Sequence, residues 1–323
     1  MKSLLKKSTT FTSLALAGTL LLAACGGNPV AQDTTTQSTT GAATADTDSS
    51  EAADTSEATE TEESETADDK LAEIKARGVL YVGTSPDFPP SEFYILDENN
   101  QKQIVGSDIS LAQAIADEIG VELEIKATDF SSVLANIQAG QIDMGISGFA
   151  ATEARKQVMQ FSDGYQRETD DGYQGILTTQ DIADQYATLE ELIEAELTFG
   201  VQGASIQFET ASKLTSPANI KQLGTMDALA LALNAGDIDA VTVSTDSAEP
   251  LLETFTGFVI LPKDGFNLDP DGMYSTNVIG FPLGDEYASL IEVANKVIAE
   301  ARASGQLEEW VEEAKALRER AVD

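Results

Sequence analysis

One stretch, residues 139–163, constrains the fold of this chain more than any other. Gly140 ends an apolar helical pattern, and the alternating apolar residues of 142–146 indicate a short buried strand. A small-residue turn then leads to a second helix, which Thr152 can cap and which carries Arg155 in its first turn. We expect the chemistry of the protein at this turn, because backbone N–H groups at a strand's carboxyl end can meet an anion.

The residues of the turn favour a carboxylate as that anion. Ser147, Gly148 and Ala150 leave their backbone N–H groups uncrowded, while Arg155 opposes a helix dipole that favours acids at a helix start. A bound carboxylate explains the arginine, since a guanidinium offers it two parallel donors. An ion pair with one of the many acids of the chain is the alternative that these residues leave open.

Strands and helices alternate through the rest of the chain. This order indicates an α/β fold in which a ligand meets the carboxyl ends of parallel strands. Ser107 or Asp108 is expected to cap one helix, and the next is expected to start at 129–131. Residues 139–143 are echoed by residues 235–239, which predicts one helix–glycine–strand unit in each of two similar lobes. Coincidence of a common turn is the alternative.

The first 69 residues are of a different kind. Residues 1–24 have the basic start, apolar run and small-residue end of a secretory signal peptide. Residues 22–25 resemble a bacterial lipobox, which predicts a lipid anchor on Cys25; an ordinary apolar cysteine of the signal peptide is the alternative. Residues 25–69 then form an acidic tether rich in Ser and Thr that we expect to be disordered. Its length favours a Gram-positive cell surface.

Composition limits the partners and the chemistry. A net charge of −36 argues against nucleic acid and anionic lipid headgroups as partners. The sequence has no histidine and one cysteine, which removes the commonest general base, the commonest metal ligand and any internal disulfide. We therefore predict no metal, no cofactor and no enzymatic activity. If the chain were a fold-related enzyme, carboxylates would be its candidate catalytic groups. A monomer is expected.

Five motifs carry a family resemblance when they are taken in order: 83–90 (GTSPDFPP), 105–112 (VGSDISLA), 140–143 (GQID), 152–156 (TEARK) and 161–165 (FSDGY). Over about residues 70–320 the chain resembles the family 3 extracellular solute-binding proteins, the polar amino acid receptors of ABC importers. The resemblance implies a two-lobed periplasmic-binding-protein-like fold of type II with a hinge of two crossing strands. Lobe 1 would comprise 70–164 and 273–323, and lobe 2 would comprise 165–272.

The resemblance also implies roles for individual side chains. Phe88 and Phe130 match the two aromatic residues that sandwich a ligand side chain. The ligand α-carboxylate would be held by Ser147, Gly148, Arg155 and, after closure, Ser205 of lobe 2.

Four positions depart from the family pattern. Ala150 replaces the usual Ser or Thr, so its N–H alone could contribute. Ser244 stands where an acid usually receives the ligand ammonium, a role that Asp246 could take over if the strand end is shifted. Otherwise Asp87 or another acid would receive it, or the ligand is not a standard α-amino acid. Ser85 stands where members specific for cationic ligands have an acid, which argues against lysine or arginine. At position 206 an isoleucine replaces a common threonine.

The function that the resemblance implies is capture of a small solute, with a polar amino acid as the first candidate, by closure of the lobes. The closed form would deliver the solute to the membrane subunits of an ABC importer. A surface sensor or adhesin on the same fold is the alternative.

Overall fold

The computed structural model describes residues 69–167 and 172–322. Residues 1–68, with the predicted signal peptide, Cys25 and nearly all of the predicted tether, lie outside the described residues. The helices are α1 (Lys70–Arg77), α2 (Ser107–Ile119), α3 (Phe130–Gln138), α4 (Glu153–Lys156), α5 (Gln180–Ala183), α6 (Leu189–Glu194), α7 (Ile206–Ala211), α8 (Met226–Ala235), α9 (Thr245–Thr254), α10 (Lys263–Phe266), α11 (Ala288–Ser304) and α12 (Gln306–Leu317). Within the described ranges, no helix is both long enough and apolar enough to span a membrane.

The strands form three sheets. They are β1 (Val79–Thr84), β2 (Asp87–Phe88), β3 (Glu92–Leu96), β4 (Lys102–Val105), β5 (Glu122–Ala127), β6 (Met144–Ala150), β7 (Met159–Phe161), β8 (Gln166–Arg167), β9 (Gln174–Thr179), β10 (Phe199–Gln202), β11 (Ile220–Leu223), β12 (Ala240–Ser244), β13 (Phe258–Ile260) and β14 (Thr276–Pro282). A small antiparallel sheet, β2-β3-β4, stands beside two larger ones.

The two larger sheets share one plan and define two lobes. In lobe 1 the order is β5-β1-β6-β14-β7, with β5, β1 and β6 parallel and β14 antiparallel to β6; β8 also pairs with β14. In lobe 2 the order is β11-β10-β12-β9-β13, with β11, β10 and β12 parallel and β9 antiparallel to β12. The α/β two-lobed fold that the resemblance implied is confirmed.

Apolar clusters lie on both faces of each large sheet. In lobe 1, α2 and α11 pack on one face through Leu111 and Ile298, and α3 packs on the other through Ile137. In lobe 2, α7 packs on one face and α8 on the other through Leu229. Each lobe is thus a sheet between two helix layers, which leaves the strand ends free to form a site.

The chain crosses between the sheets twice. The first crossing lies between β8 and β9 and includes residues 168–171, which are outside the described residues. The second runs from β13 to β14, and its last part is a turn rather than a strand. The carboxylate of Asp269 accepts the N–H groups of Met273 (2.9 Å) and Tyr274 (2.8 Å), so these groups are unavailable for strand pairing.

Local signals placed several element ends correctly. Asp129 accepts the N–H of Ser132 (3.0 Å) at the start of α3, and Thr152 accepts that of Arg155 (3.2 Å) at the start of α4. The predicted cap of α2 is wrong. Its N-cap is Gly106, with no side-chain cap bond, because the carboxylate of Asp108 is engaged elsewhere.

Candidate ligand-binding site

A cavity of about 250 Å³ lies between the two lobes. The carboxyl ends of parallel strands β1 and β6 approach it from lobe 1, and those of β10 and β12 approach it from lobe 2, as expected for an open α/β sheet. It is lined by every one of the ten side chains or backbone positions for which a ligand contact was expected: Ser85, Phe88, Phe130, Ser147, Gly148, Ala150, Arg155, Ser205, Ser244 and Asp246. Their contact with a ligand stays a prediction.

Arg155 joins the two lobes across this cavity. Its guanidinium donates from Nη1 to the carbonyl of Ala150 (2.8 Å) in lobe 1 and from Nη2 to the carbonyl of Ala204 (3.0 Å) in lobe 2. The guanidinium carbon also lies 5.4 Å from the ring centre of Phe130. A guanidinium has five N–H donors, so donors remain for a ligand after these two bonds.

The charge of Arg155 is not neutralised within the described part of the chain. Arg155 is 8% exposed, and no described carboxylate lies within ion-pair distance of it. Burial lowers the pKa of its guanidinium to about 10, although Glu209 and Tyr274 oppose this from farther away. A buried cation of this kind is costly unless an anion joins it, and a ligand carboxylate would be that anion.

Ser147, Gly148 and Ala150 differ from the expected exposed turn. They lie in β6, which continues to Ala150 because its end pairs with β14, with Asn277 opposite Ala150. The N–H of Gly148 donates to Asp108 Oδ2 (3.1 Å), and the hydroxyl of Ser147 donates to Glu92 Oε1 (2.7 Å). The N–H of Gly148 and the hydroxyl of Ser147 are therefore occupied within the protein, whereas the sequence predicted donors free for a ligand. The contact of Ser147 and Gly148 with a ligand stays a prediction.

The lobe 2 donor Ser205 is also engaged. Its hydroxyl caps α7 by accepting the N–H of Phe208 (3.2 Å) and donates to the carbonyl of Gln202 (2.7 Å). The neighbouring carbonyl of Ala204 is the one that accepts from Arg155. Ser205 thus fixes the loop that meets Arg155, a positioning role that the sequence did not indicate.

Asp87 lies on the cavity wall and forms hydrogen bonds to both lobes. Its Oδ2 accepts from Gln202 Nε2 (2.9 Å) and from the N–H of Met226 (2.8 Å), both in lobe 2, while its Oδ1 accepts from Ser85 Oγ (2.8 Å). Burial raises the pKa of Asp87, and the hydrogen bonds from Met226 and Ser85 oppose this shift. Because the protein occupies both of its carboxylate oxygens, Asp87 links the two lobes, and Ser85 orients it.

Ser244 and Asp246 meet the cavity from lobe 2. Ser244 is the last residue of β12, and Asp246 lies two residues later, in the first turn of α9. The carboxylate of Asp246 lies against Gly172, so close that a Cβ atom added there would be 2.5 Å from Oδ2. Asp246 is thus an acid on the cavity wall near the first crossing, where an ammonium group could reach it.

Two acids behind the cavity were missed as site residues. Glu92 and Asp108 accept hydrogen bonds from consecutive residues of β6, and Glu92 also lines the cavity. Asp108 looked like a helix cap in the sequence, and Glu92 was one of many acids. One sequence signal could have singled out Glu92, namely a carboxylate in a short segment that is otherwise free of charge, between Pro90 and Phe93. In the described ranges no cluster of three or more metal-ligating side chains is arranged to hold a metal ion.

Comparison with known proteins gives one consistent family. The model of the bacterial extracellular solute-binding proteins, family 3, matches residues 80–314. The chain is 30% identical over 200 residues to the arginine-binding protein ArgT of Corynebacterium glutamicum, which covers 61% of this chain and 64% of ArgT.

Solved structures agree with this assignment. The amino acid ABC transporter substrate-binding protein AbpA of Streptococcus pneumoniae, bound to L-arginine, superposes with a TM-score of 0.68 at 30% identity, covering 76% of this chain and 98% of AbpA. An ancestral arginine-binding protein bound to glutamine has a TM-score of 0.61 at 30% identity, covering 73% of this chain and 97% of that protein.

Proposed function

Because this chain belongs to the bacterial extracellular solute-binding proteins of family 3, whose matched relatives are binding proteins rather than enzymes, we propose that it captures a free α-amino acid between its lobes. The observation that carries the proposal is Arg155, a buried guanidinium without a carboxylate partner among the described residues. A ligand carboxylate would neutralise it, and Asp246 on the opposite lobe would receive the ligand ammonium.

Arginine is the first candidate ligand and glutamine the second. ArgT is an arginine-binding protein, and AbpA was solved with L-arginine bound. The ancestral arginine-binding protein was solved with glutamine bound. Ser85 argues against a cationic ligand, but the cavity wall contains Glu92, an acid that a cationic side chain could meet. Phe88 and Phe130 would flank the ligand side chain with apolar surface.

Closure would couple binding to delivery. Arg155 and Asp87 of lobe 1 form hydrogen bonds to lobe 2. A ligand that contacts both lobes would favour the arrangement in which these bonds are made. We further propose that the protein is a monomer whose lobes are divided near the boundaries predicted from the sequence. In its closed form it would deliver the ligand to an ABC importer. A lipid anchor on Cys25 would keep it at the outer face of the membrane.

A thermal-shift screen of the full chain against the standard amino acids tests the binding proposal. A ligand at a hundred times its dissociation constant stabilises the folded state by about 2.7 kcal/mol, which raises the melting temperature by several degrees. We expect the largest shifts from arginine and glutamine. No shift with any amino acid would contradict the proposal and leave the fold unaffected.

Uptake separates transport from sensing. Cells that lack the gene should lose uptake of the ligand identified in the screen, and a Cys25→Ser variant should leave the membrane fraction while its binding affinity stays unchanged. Uptake that is equal with and without the gene would favour the sensor or adhesin alternative.

A further inference from the structure

Two carboxyl groups lie side by side beneath the cavity. Glu92, the first residue of β3, is 1% exposed, and Asp108, in the first turn of α2, is fully buried. The two groups interact directly, and Glu92 forms part of the cavity wall. A buried acid pair needs either a cation or a proton to offset the repulsion of two anions.

Each carboxyl group has one satisfied oxygen and one that is not. Glu92 Oε1 accepts from Ser147 Oγ (2.7 Å), and Asp108 Oδ2 accepts from Tyr165 Oη (2.7 Å) and the N–H of Gly148 (3.1 Å). Glu92 Oε2 and Asp108 Oδ1 are buried without a hydrogen-bond partner in the described part of the chain. A proton on one carboxyl group would let it donate a hydrogen bond to the other.

The surrounding elements supply no cation to this pair among the described residues. From β6 it faces Ser147 and Gly148, and from the segment before β8 it faces the neutral phenol of Tyr165. Strand β2 brings the negative charge of Asp87, which acts on Glu92, and the Ser107 hydroxyl of α2 is buried without a partner in the same ranges. If Glu92 and Asp108 were both ionised, two buried anions would therefore lie next to each other, with the negative charge of Asp87 nearby.

The hydrogen bonds indicate which acid holds the proton. Asp108 receives two donors, which stabilise its anionic form, whereas Glu92 receives one. Burial, and then the charge of Asp108, raise the pKa of Glu92 well above its ordinary value. Burial also raises the pKa of Asp108, against the bonds from Tyr165 and Gly148. The neutral acid is thus Glu92, the one that lines the cavity.

We propose that Glu92 and Asp108 share one proton in the ligand-free protein, and that the cationic side chain of a bound amino acid displaces this proton into solvent. The inference rests on the proposed amino acid function and adds a specificity rule to it. A cationic ligand binds with release of a proton, and its affinity rises with pH. A neutral ligand such as glutamine leaves the proton in place, so its affinity does not change with pH in the same way.

Titration calorimetry of the full chain in buffers of different ionisation enthalpy tests this exchange. Arginine and glutamine carry the same α-ammonium and α-carboxylate groups, so the difference in proton release between them reports on the side-chain end alone. We expect about one more proton released with arginine than with glutamine near neutral pH, and an affinity for arginine that rises by up to about tenfold per pH unit until the pair is ionised.

A Glu92→Gln variant keeps the size of the side chain and removes the exchangeable proton. It should release no extra proton with arginine and bind arginine about tenfold more weakly or worse, because a charged hydrogen bond is lost. Its affinity for glutamine should change far less. Glu98→Gln, on the exposed turn between β3 and β4, is the matched control and should behave as the parent protein.

Infrared spectroscopy tests the shared proton without any ligand. The ligand-free protein should show the carbonyl band of a protonated carboxylic acid at neutral pH, and Glu92→Gln should lose it. Absence of that band, or equal proton release with arginine and glutamine, would overturn the inference and leave the proposed function standing. If neither amino acid binds, the proposed function fails and the exchange with it, while the infrared band still decides whether the pair holds a proton.

Discussion

The helix–glycine–strand units of the two lobes are nearly the same in structure, but the segments after them differ. In lobe 1, α3 leads through Gly140 (φ 63°) to Asp143 and β6; in lobe 2, α8 leads through Gly236 (φ 75°) to Asp239 and β12. Asp143 accepts the N–H of Tyr81 (2.8 Å), and Asp239 accepts that of Thr198 (2.8 Å). In each case the acid holds the backbone of the neighbouring parallel strand at or near its start.

The same packing recurs beneath each unit. A Cβ atom added to Gly83 of β1 would lie 2.4 Å from Cδ1 of Ile142, and one added to Gly200 of β10 would lie 2.4 Å from Cδ1 of Ile238. Each isoleucine comes two residues after its unit's glycine. The repeat seen in the sequence is therefore a repeat of backbone and core, which confirms one unit in each lobe.

The chemistry beyond the strands is not repeated. Lobe 1 contributes Arg155 and three buried or partly buried acids whose pKa is raised, first of all by burial, namely Asp87, Glu92 and Asp108. Lobe 2 faces the cavity largely with neutral groups, including Gln174, Gln202, Gln207 and Ser205, and with the acids Asp246 and Glu249. The two lobes thus share their scaffold, whereas the buried charged groups at the cavity, Arg155 and the pair Glu92 and Asp108, belong to lobe 1.

The largest expected effect is loss of binding on removal of the lobe 1 cation. Arg155→Ala should weaken amino acid binding by at least about 100-fold, because a ligand carboxylate would be left buried without its charge partner. Calorimetry with arginine measures this. Lys156→Ala, on the exposed side of the same helix, is the matched control. Equal losses in the two variants would point to damage of α4 rather than loss of a ligand contact.

The next effect tests whether the two cores are equivalent. Gly83→Ala and Gly200→Ala should each lower the free energy of unfolding by about 1–3 kcal/mol, since both overpack a core. Adding Ile142→Val should relieve most of the loss at Gly83. Ile238→Val should relieve less at Gly200, where Leu229 Cδ2 is also 2.7 Å from the added atom. Urea unfolding measures all four variants, and equal rescue would contradict the packing difference.

A smaller effect concerns the pH dependence of stability. Between the ordinary carboxyl pKa and the raised pKa of Glu92, the folded state holds a proton that the unfolded state has lost. The free energy of unfolding should therefore fall as pH rises, by up to about 1.4 kcal/mol per pH unit for this one group. Glu92→Gln should flatten the slope, and Glu190→Gln in lobe 2 should leave it unchanged. An unchanged slope in Glu92→Gln would contradict the assignment.

The smallest effect compares the N-cap residues of α4 in lobe 1 and α7 in lobe 2. Thr152→Ala and Ser205→Ala should each cost about 1 kcal/mol of stability through a lost N-cap. Thr152→Ala should also weaken ligand binding, because α4 carries Arg155. Ser205→Ala should weaken ligand binding only slightly, because the Ser205 hydroxyl caps α7 and donates to the carbonyl of Gln202. A loss of affinity at Ser205 beyond that at Thr152 would show direct ligand contact.

The sequence alone determined the features that depend on neighbouring residues. Apolar spacing predicted the helices and the α/β order, and Gly120, Gly140 and Gly236 marked helix ends because each adopts a positive φ that residues with a side chain rarely take. The caps at Thr152 and Asp129 were likewise readable, since a cap side chain bonds within three residues. The ordered motifs were enough to predict the family and the residues around the cavity.

Only the tertiary structure decided how those residues are used. The end of β6 is a strand because β14, more than a hundred residues later, pairs with it, and this pairing has no local signal. Asp108 is drawn from the predicted cap toward Gly148 and Tyr165, and Glu92 toward Ser147, by contacts between distant segments. Hydrogen-bond competition and burial depend on which surfaces meet, so the free donors expected at the turn became occupied ones and two unnoticed acids became a pair.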